Sequence, residues 1–298
     1  MNLVVGASGL VGMEICHKLI EDGKPVRALV RRSTDPAKRE RLQSFGADLA
    51  YGDLKEPETL DVACRGISTV ISTASSTLSR QVGDSIESVD AQGQLNLIRA
   101  AKTAGAHHFI FISFPPTPVD FALERAKRTV EKTLDESGLV YTILQPTFFS
   151  EVWLSPAVGF DIANAKATIY GSGLNEISWI SYQDVARFAA ASVDNGGARN
   201  AVIKLGGLES LSPLQVVRIF EQVGRRRFTV THVDEDALKE QKAAAGDSIQ
   251  EAFAALMLYY AHGDVIDMKP ASRIFGIEGS ALMTVRQYAR RAVHGGES

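Results

Sequence analysis

The stretch Gly6-Ala7-Ser8-Gly9-Leu10-Val11-Gly12 decides how this chain is read. Apolar Asn2-Leu3-Val4-Val5 precedes it, and the helical pattern Glu14-Ile15-Cys16-His17-Lys18-Leu19-Ile20 follows. A strand, a glycine-rich turn and a helix N-terminus in that order make an anion cradle. The first backbone N–H groups of the helix lack an intrahelical partner, and the helix dipole favours a phosphate there. Gly6 permits the tight turn, Gly9 the close approach of a pyrophosphate, and Gly12 the close packing of helix on sheet. With Ser8, Leu10 and Val11 between them, these positions form a dinucleotide-phosphate site.

Outward from that turn, strand-like and helical patterns alternate. Strands are expected over 26–30, 48–51, 69–73, 109–113 and 140–144, with helices over 36–45, 57–65, 84–104 and 120–137. Short β-branched apolar strands separated by helices predict a parallel sheet covered on both faces. The fold class is therefore α/β, a doubly wound parallel Rossmann sheet over residues 1–148. Beyond Pro146 the alternation loosens into short strands and helices. Residues 149–298 read as a smaller α+β C-terminal substrate-binding region, interleaved with the first. Asp184 there reads as a helix N-cap ahead of 185–193 in preference to a catalytic carboxylate.

Composition narrows the class further. Of 298 residues, 45% are hydrophobic and 22% charged, which suits a globular protein with a sizeable core. A net charge of −3 gives no reason to expect nucleic acid or an anionic membrane as partner. The two cysteines, Cys16 and Cys64, have no metal-ligand spacing, so no metal site is expected and both read as apolar fillers. No apolar run reaches the roughly 18 residues of a membrane span. The N-terminus lacks the basic n-region of a signal peptide. A cytoplasmic protein acting on a small-molecule substrate is expected, with a monomer and a homodimer both compatible.

The end of the second strand bears on the cofactor. An NAD-binding unit presents an acidic residue about 20 positions past the glycine turn, for the ribose 2′-hydroxyl. Arg31-Arg32 stand there instead, with Lys38 nearby. Guanidinium groups match a 2′-phosphate by charge-assisted bidentate hydrogen bonds, so the sequence points to NADP(H). The bland alternative is a solvated basic face. Asp53-Leu54 follows the third strand, placed for the adenine or simply as a turn. Thr73-Ala74-Ser75 ends the fourth, lining the cofactor ribose or, for Ser75 and Ser76, capping a helix.

The glycine turn, Arg31, Gly52-Asp53-Leu54, Asp90-Ala91-Gln92-Gly93-Gln94-Leu95-Asn96-Leu97 and Tyr141-Thr142-Ile143-Leu144-Gln145-Pro146-Thr147-Phe148-Phe149 resemble the atypical and extended short-chain dehydrogenase/reductases. Within that superfamily the chain is most similar to the NmrA-like group, which includes isoflavone-reductase-like enzymes, quinone reductases and NADP-sensing regulators. The resemblance covers most of residues 1–190. It implies that Pro146, Thr147, Phe148 and Phe149 pass near the nicotinamide, and that Ser113 ends a strand at the catalytic position.

A departure from the family pattern sits on the helix after the fifth strand. Typical members carry Tyr-x-x-x-Lys there, the tyrosine delivering a proton and the lysine lowering its pKa while holding the ribose. Lys127 aligns with the lysine, and Leu123 occupies the tyrosine position one helical turn earlier. Three roles stand for Lys127: holding the ribose of a bound cofactor, donating the proton itself, or lying solvated in a basic helix. Tyr170 and Tyr182 are further proton-donor candidates, or packing residues. Phe148, Phe149, Trp153 and Trp179 either wall a flat substrate or pack in a core. His107 and His108 precede the fifth strand, at the end away from the ligand crevice. The resemblance thus implies an NADPH-dependent reductase of a quinone-like or conjugated carbonyl acceptor. The alternative is a non-catalytic NADP(H)-sensing regulator that binds a protein partner.

Overall fold

The computed structural model describes residues 1–77 and 81–295. Its first strands and helices follow the expected alternation: β1 (Asn2–Val5), α1 (Leu10–Glu21), β2 (Val26–Val30), α2 (Pro36–Phe45), β3 (Asp48–Tyr51), α3 (Pro57–Ala63) and β4 (Thr69–Ser72). A π-helical turn over Ile86–Ala91 then leads into α4 (Gln92–Thr103), followed by β5 (His108–Ile112), α5 (Ala122–Ser137) and β6 (Val140–Pro146). The sheet order is β6-β5-β4-β1-β2-β3, with a seventh strand, Ala201–Leu205, beside β6. The six strands β1 to β6 pair in parallel, with Val5 opposite Leu29 on one side and Ser72 on the other. This is an α/β doubly wound sheet, in which ligand-binding loops gather at the carboxyl edge.

Local chemistry explains the elements. The central strands are mainly apolar because helices cover both faces: β1, β4 and β5 are buried along their whole length, whereas the edge strand β3 is exposed at Asp48 and Tyr51. Asp35 caps α2 through its side chain, with Pro36 at the first helical position. Leu3, Val5, Val70, Leu97, Phe109, Phe111, Val130 and Leu134 belong to one core cluster of sheet and helix side chains.

The chain divides into two compact units. The first comprises residues 1–114, 122–145 and 185–203; the second comprises 115–121, 146–184 and 204–298. The second is α+β, with the strand Lys166–Tyr170 between Phe160–Asp161 and Thr229–Val233 and a long helix, Ser248–His262. Its core is aromatic: Phe148, Phe160, Trp179, Phe220, Tyr259 and Tyr260 are all buried. Asp184 is not the N-cap expected of it. It lies in the first turn of the helix Tyr182–Ser192 and accepts a hydrogen bond from the Met283 backbone N–H at 2.8 Å. The helix starts earlier because Ser181 accepts the Gln183 N–H.

Candidate functional site

Four strand ends build the site of the first unit, all at the carboxyl edge of the parallel sheet. At β1, Gly6 turns the chain with φ +81°, and Gly9 N–H closes the turn on Gly6 O at 2.9 Å. A Cβ at Gly6 would lie 2.6 Å from Thr73 Oγ1, and one at Gly12 only 2.2 Å from Gly6 O, so the protein's own packing demands both glycines. Gly9 differs. Its φ is −85°, and its only close Cβ neighbour is Gly6 O at 3.3 Å, so its smoothness mainly serves what approaches from outside. No side chain caps α1, and its first turn holds no acidic residue. An uncapped, acid-free helix start beside a bare glycine fits a phosphate group.

At β2, Arg31 follows the strand and is bonded to Asp84, Nη1 to Oδ2 at 2.6 Å. Asp84 Oδ1 accepts from Lys55 Nζ at 2.5 Å. Arg32 is exposed beside the Tyr51 ring, and Lys38 is exposed on α2. At β3, the Asp53 carboxylate accepts the Lys55 N–H at 2.9 Å, a turn-forming bond, and Leu54 is a buried core residue. The two faces they offer to a ligand are therefore small. At β4, Thr73 bonds back to Val5 O and Gly6 O, tying that loop to the glycine turn. Ser75 pairs with Thr77, and Ala74 O accepts from Gln94.

The polar residues of the segment 90–97 act as a rack for these loops. Gln94 bonds Ser72 and Ala74 O, Asn96 bonds Leu54 O, and Asp90 Oδ2 accepts both the N–H and the hydroxyl of Ser76. Asp90 is fully buried, and its Oδ1 has no hydrogen-bond partner among the described residues. The nearest cation is Lys127 Nζ at 3.9 Å.

Lys127 is 5% exposed, so it is not a solvated lysine of a basic helix face. Its ammonium donates to Ile112 O at the end of β5 at 3.4 Å and lies 4.7 Å from the Phe111 ring centroid. Burial pulls its pKa below the ordinary lysine value, against the opposing charges of Asp90 and Glu131. Leu123, one turn earlier, is buried as well. Ser113 follows β5, and its Oγ accepts from Arg128 Nη2 at 3.0 Å. Arg128 also bonds Phe114 O and pairs with Glu131.

The remaining candidates lie in the second unit. Phe148 packs its ring against Trp153, Tyr259 and Tyr260, so its side chain is a core member there. Trp179 is 2% exposed and its indole N–H donates to Leu211 O, which makes it a packing residue and not a substrate wall. Phe149 is half-buried and pairs with Ile180, and Thr147 bonds Ser178 O. Pro146 ends β6. Tyr170 donates to Val158 O. His107 and His108 line a cleft of about 620 Å³ with Met1, Lys24 and Arg199, at the amino edge of the sheet and away from the glycine turn. Cys16 and Cys64 are free buried thiols, pushed up to about 12 and about 11 by burial. Among the described residues no cluster of His, Cys, Asp and Glu is arranged to hold a metal, and no helix is long and apolar enough to cross a membrane.

Sequence reasoning missed Asp84, Lys55, Asp90 and Arg128. Asp90 stood inside a quoted segment, where its position before Gln94 and Asn96 was a signal. Asp84 gave none, because its partner Arg31 is 53 positions away.

A doubly wound sheet with a glycine cradle, a basic residue after β2 and a buried lysine after β5 defines a Rossmann protein of the short-chain dehydrogenase/reductase type. The chain belongs to the NmrA-like family, whose model matches residues 2–289. It is 28% identical over 295 residues to a photosystem II assembly factor, Ycf39, of Guillardia theta, covering 96% of this chain and 92% of that one. It is 29% identical over 301 residues to an NAD(P)H azoreductase of Xenophilus azovorans, covering 97% of each. Among solved structures, an NADPH-dependent quinone oxidoreductase from Escherichia coli, crystallised with NADPH, shares the fold with a TM-score of 0.78 at 22% identity, over 98% of this chain and 99% of that one.

Proposed function

We propose that this chain is an NADPH-dependent reductase that passes hydride to a small quinone-like or conjugated carbonyl acceptor. The observation that carries the reading is Lys127, a cation buried at the end of β5 on the same edge as the glycine cradle. The azoreductase relative and the quinone oxidoreductase neighbour support it. In this reading Gly6, Ser8, Gly9, Leu10, Val11 and Gly12 hold the pyrophosphate, Arg31 with Arg32 and Lys38 meets the 2′-phosphate, and Asp53 and Leu54 border the adenine. Thr73, Ala74 and Ser75 line the ribose, and Pro146–Phe149 run past the nicotinamide. A bound reduced nicotinamide supplies the hydride.

Lys127 holds the ribose hydroxyls and is the proton source nearest the reacting edge, since burial makes its ammonium more acidic than a solvated lysine. Ser113 Oγ, fixed by Arg128, orients the acceptor oxygen with its remaining proton. Leu123 cannot donate, so acceptors that need a strong acid at the carbonyl are disfavoured. A quinone asks only for a weak acid such as the Lys127 ammonium, because hydride transfer to it leaves a stabilised phenolate. This chemistry is the reason for preferring a quinone-like acceptor.

One second reading has a specific support. Leu123 in place of a proton donor, together with the assembly-factor relative, favours an NADP(H)-sensing regulator that binds a protein partner. A panel of quinones and enones, followed by loss of NADPH absorbance, separates the two. Turnover of at least one acceptor is expected. Tight NADPH binding with no oxidation by any acceptor would establish the regulator instead.

A further inference from the structure

Asp84 is a carboxylate with every partner of a bound anion. Its Oδ2 accepts from Arg31 Nη1 at 2.6 Å and from the Gln81 N–H at 2.9 Å, and its Oδ1 accepts from Lys55 Nζ at 2.5 Å. The Asp84 side chain is 1% exposed, whereas Arg31 and Lys55 are each 26% exposed. Three strand-end loops thus converge on one negative charge: Arg31 after β2, Lys55 after β3, and Asp84 from the segment between β4 and the π-helical turn. Gln81 also bonds Ser33, tying this segment to the loop that carries Arg31.

A carboxylate and a phosphate monoester offer a guanidinium and an ammonium the same thing, two anionic oxygens in a plane. Arg31 is the group that a ribose 2′-phosphate needs, and Asp84 already holds it. We propose that Asp84 is an internal stand-in for the 2′-phosphate, paired with Arg31 and Lys55 in the free chain and displaced from them by a 2′-phosphorylated nucleotide. This one carboxylate then sets how strongly NADPH is preferred over NADH. The inference rests on the NADP(H) reading of the preceding subsection. The 2′-hydroxyl of NADH brings no charge, so the Asp84 pairs survive its binding. A dianionic phosphate outcompetes a monoanion for two cations, yet pays back the lost Asp84 pairs out of its own binding. Release is local: Asp84 follows exposed Val82 and Gly83 (φ +82°), neither of which packs in the core.

The test measures dissociation constants for adenosine 2′,5′-bisphosphate, 5′-AMP, NADPH and NADH by calorimetry, on the wild-type chain and on Asp84→Asn. Removing the competing charge raises affinity for the two 2′-phosphorylated ligands by about tenfold and leaves 5′-AMP and NADH within about twofold. In the wild-type chain, exchange of the Gln81 amide, which is bonded to Asp84, speeds up with adenosine 2′,5′-bisphosphate and not with 5′-AMP. This second arm needs no variant. Unchanged or weaker binding of the 2′-phosphorylated ligands by Asp84→Asn, or a Gln81 amide indifferent to the 2′-phosphate, overturns the stand-in role. If the wild-type chain and the variant both bind 5′-AMP as tightly as adenosine 2′,5′-bisphosphate, the NADP(H) reading itself fails.

Discussion

Two carboxylate–cation pairs lie on the same edge of the sheet, and they are built in opposite ways. Asp84 is saturated, with short bonds to Arg31, Lys55 and a backbone N–H. Hydrogen bonds from Lys55, Arg31 and Gln81 outweigh the effect of its burial and hold its carboxyl below the usual carboxylate range. Asp90 is buried more deeply yet is half-used: Ser76 takes one oxygen, and the other faces Lys127 at 3.9 Å without a hydrogen bond. A saturated pair at the rim stores an anion site in closed form. An unsaturated pair in the interior sets a carboxyl group against a lysine where water is scarce, at an energetic cost that stability alone does not explain.

The largest expected effect comes from breaking the interior pair. Lys127→Met leaves the Asp90 charge buried and uncompensated, which costs about 3–5 kcal/mol in urea unfolding. Adding Asp90→Asn to that variant recovers most of the loss, because the uncompensated charge is gone. Recovery by less than a quarter would mean that Lys127 matters by packing and not by pairing.

A comparable effect is expected from a neutral counterexample at the opposite edge. His108 bonds Thr142 and is pushed down to about 4 by burial and by Arg199. The folded chain therefore holds it neutral while the unfolded chain, at 6.5, takes up a proton. Stability is complete above that unfolded value and falls as the pH drops from 6.5 to about 4, by on the order of 3 kcal/mol. In His108→Gln this part of the slope disappears; a slope unchanged by the substitution would show that other groups carry it.

The rim pair comes next. Arg31→Ala removes a charge-assisted contact worth about 1.5–3 kcal/mol, so NADPH affinity drops by roughly ten- to a hundredfold while NADH affinity holds. Equal losses for both cofactors would place Arg31 away from the 2′-phosphate. The smallest effect is expected at Asp53, whose carboxylate accepts the Lys55 N–H and lies 3.8 Å from its ammonium. Asp53→Asn keeps the turn-forming acceptor and shifts stability by less than about 0.5 kcal/mol.

What the sequence made legible was local. The order strand, glycine turn, helix is written around seven consecutive residues, and the apolar runs of β1, β2, β4, β5 and β6 need no distant information to be read. Arg31 was visible because its place is fixed by spacing from the turn. The partners were not. Whether Lys127 is buried or solvated depends on what covers α5, and both outcomes fit the same helical pattern. Asp84 reaches Arg31 across a loop closure, and Asp90 reaches Ser76 across a helix start with π geometry, for which composition gives no cue. Phe148 and Trp179 show the same limit from the other side: an aromatic run reads alike as a substrate wall or a core, and the Tyr259 and Tyr260 rings that settle the matter for Phe148 lie more than a hundred residues later.

The central claim is that the interior lysine serves hydride transfer and not only the fold. It is tested most directly by steady-state oxidation of NADPH with the quinone panel, run on the wild-type chain and on Lys127→Met at a temperature where both are folded, alongside NADPH binding. Turnover by the wild-type chain is expected, with a loss of about a hundredfold in kcat for the variant, a size typical of general acid–base catalysis, and an NADPH dissociation constant raised by roughly tenfold as the ribose contact is lost. Equal kcat in the two proteins, or tight NADPH binding with no turnover in either, would contradict it.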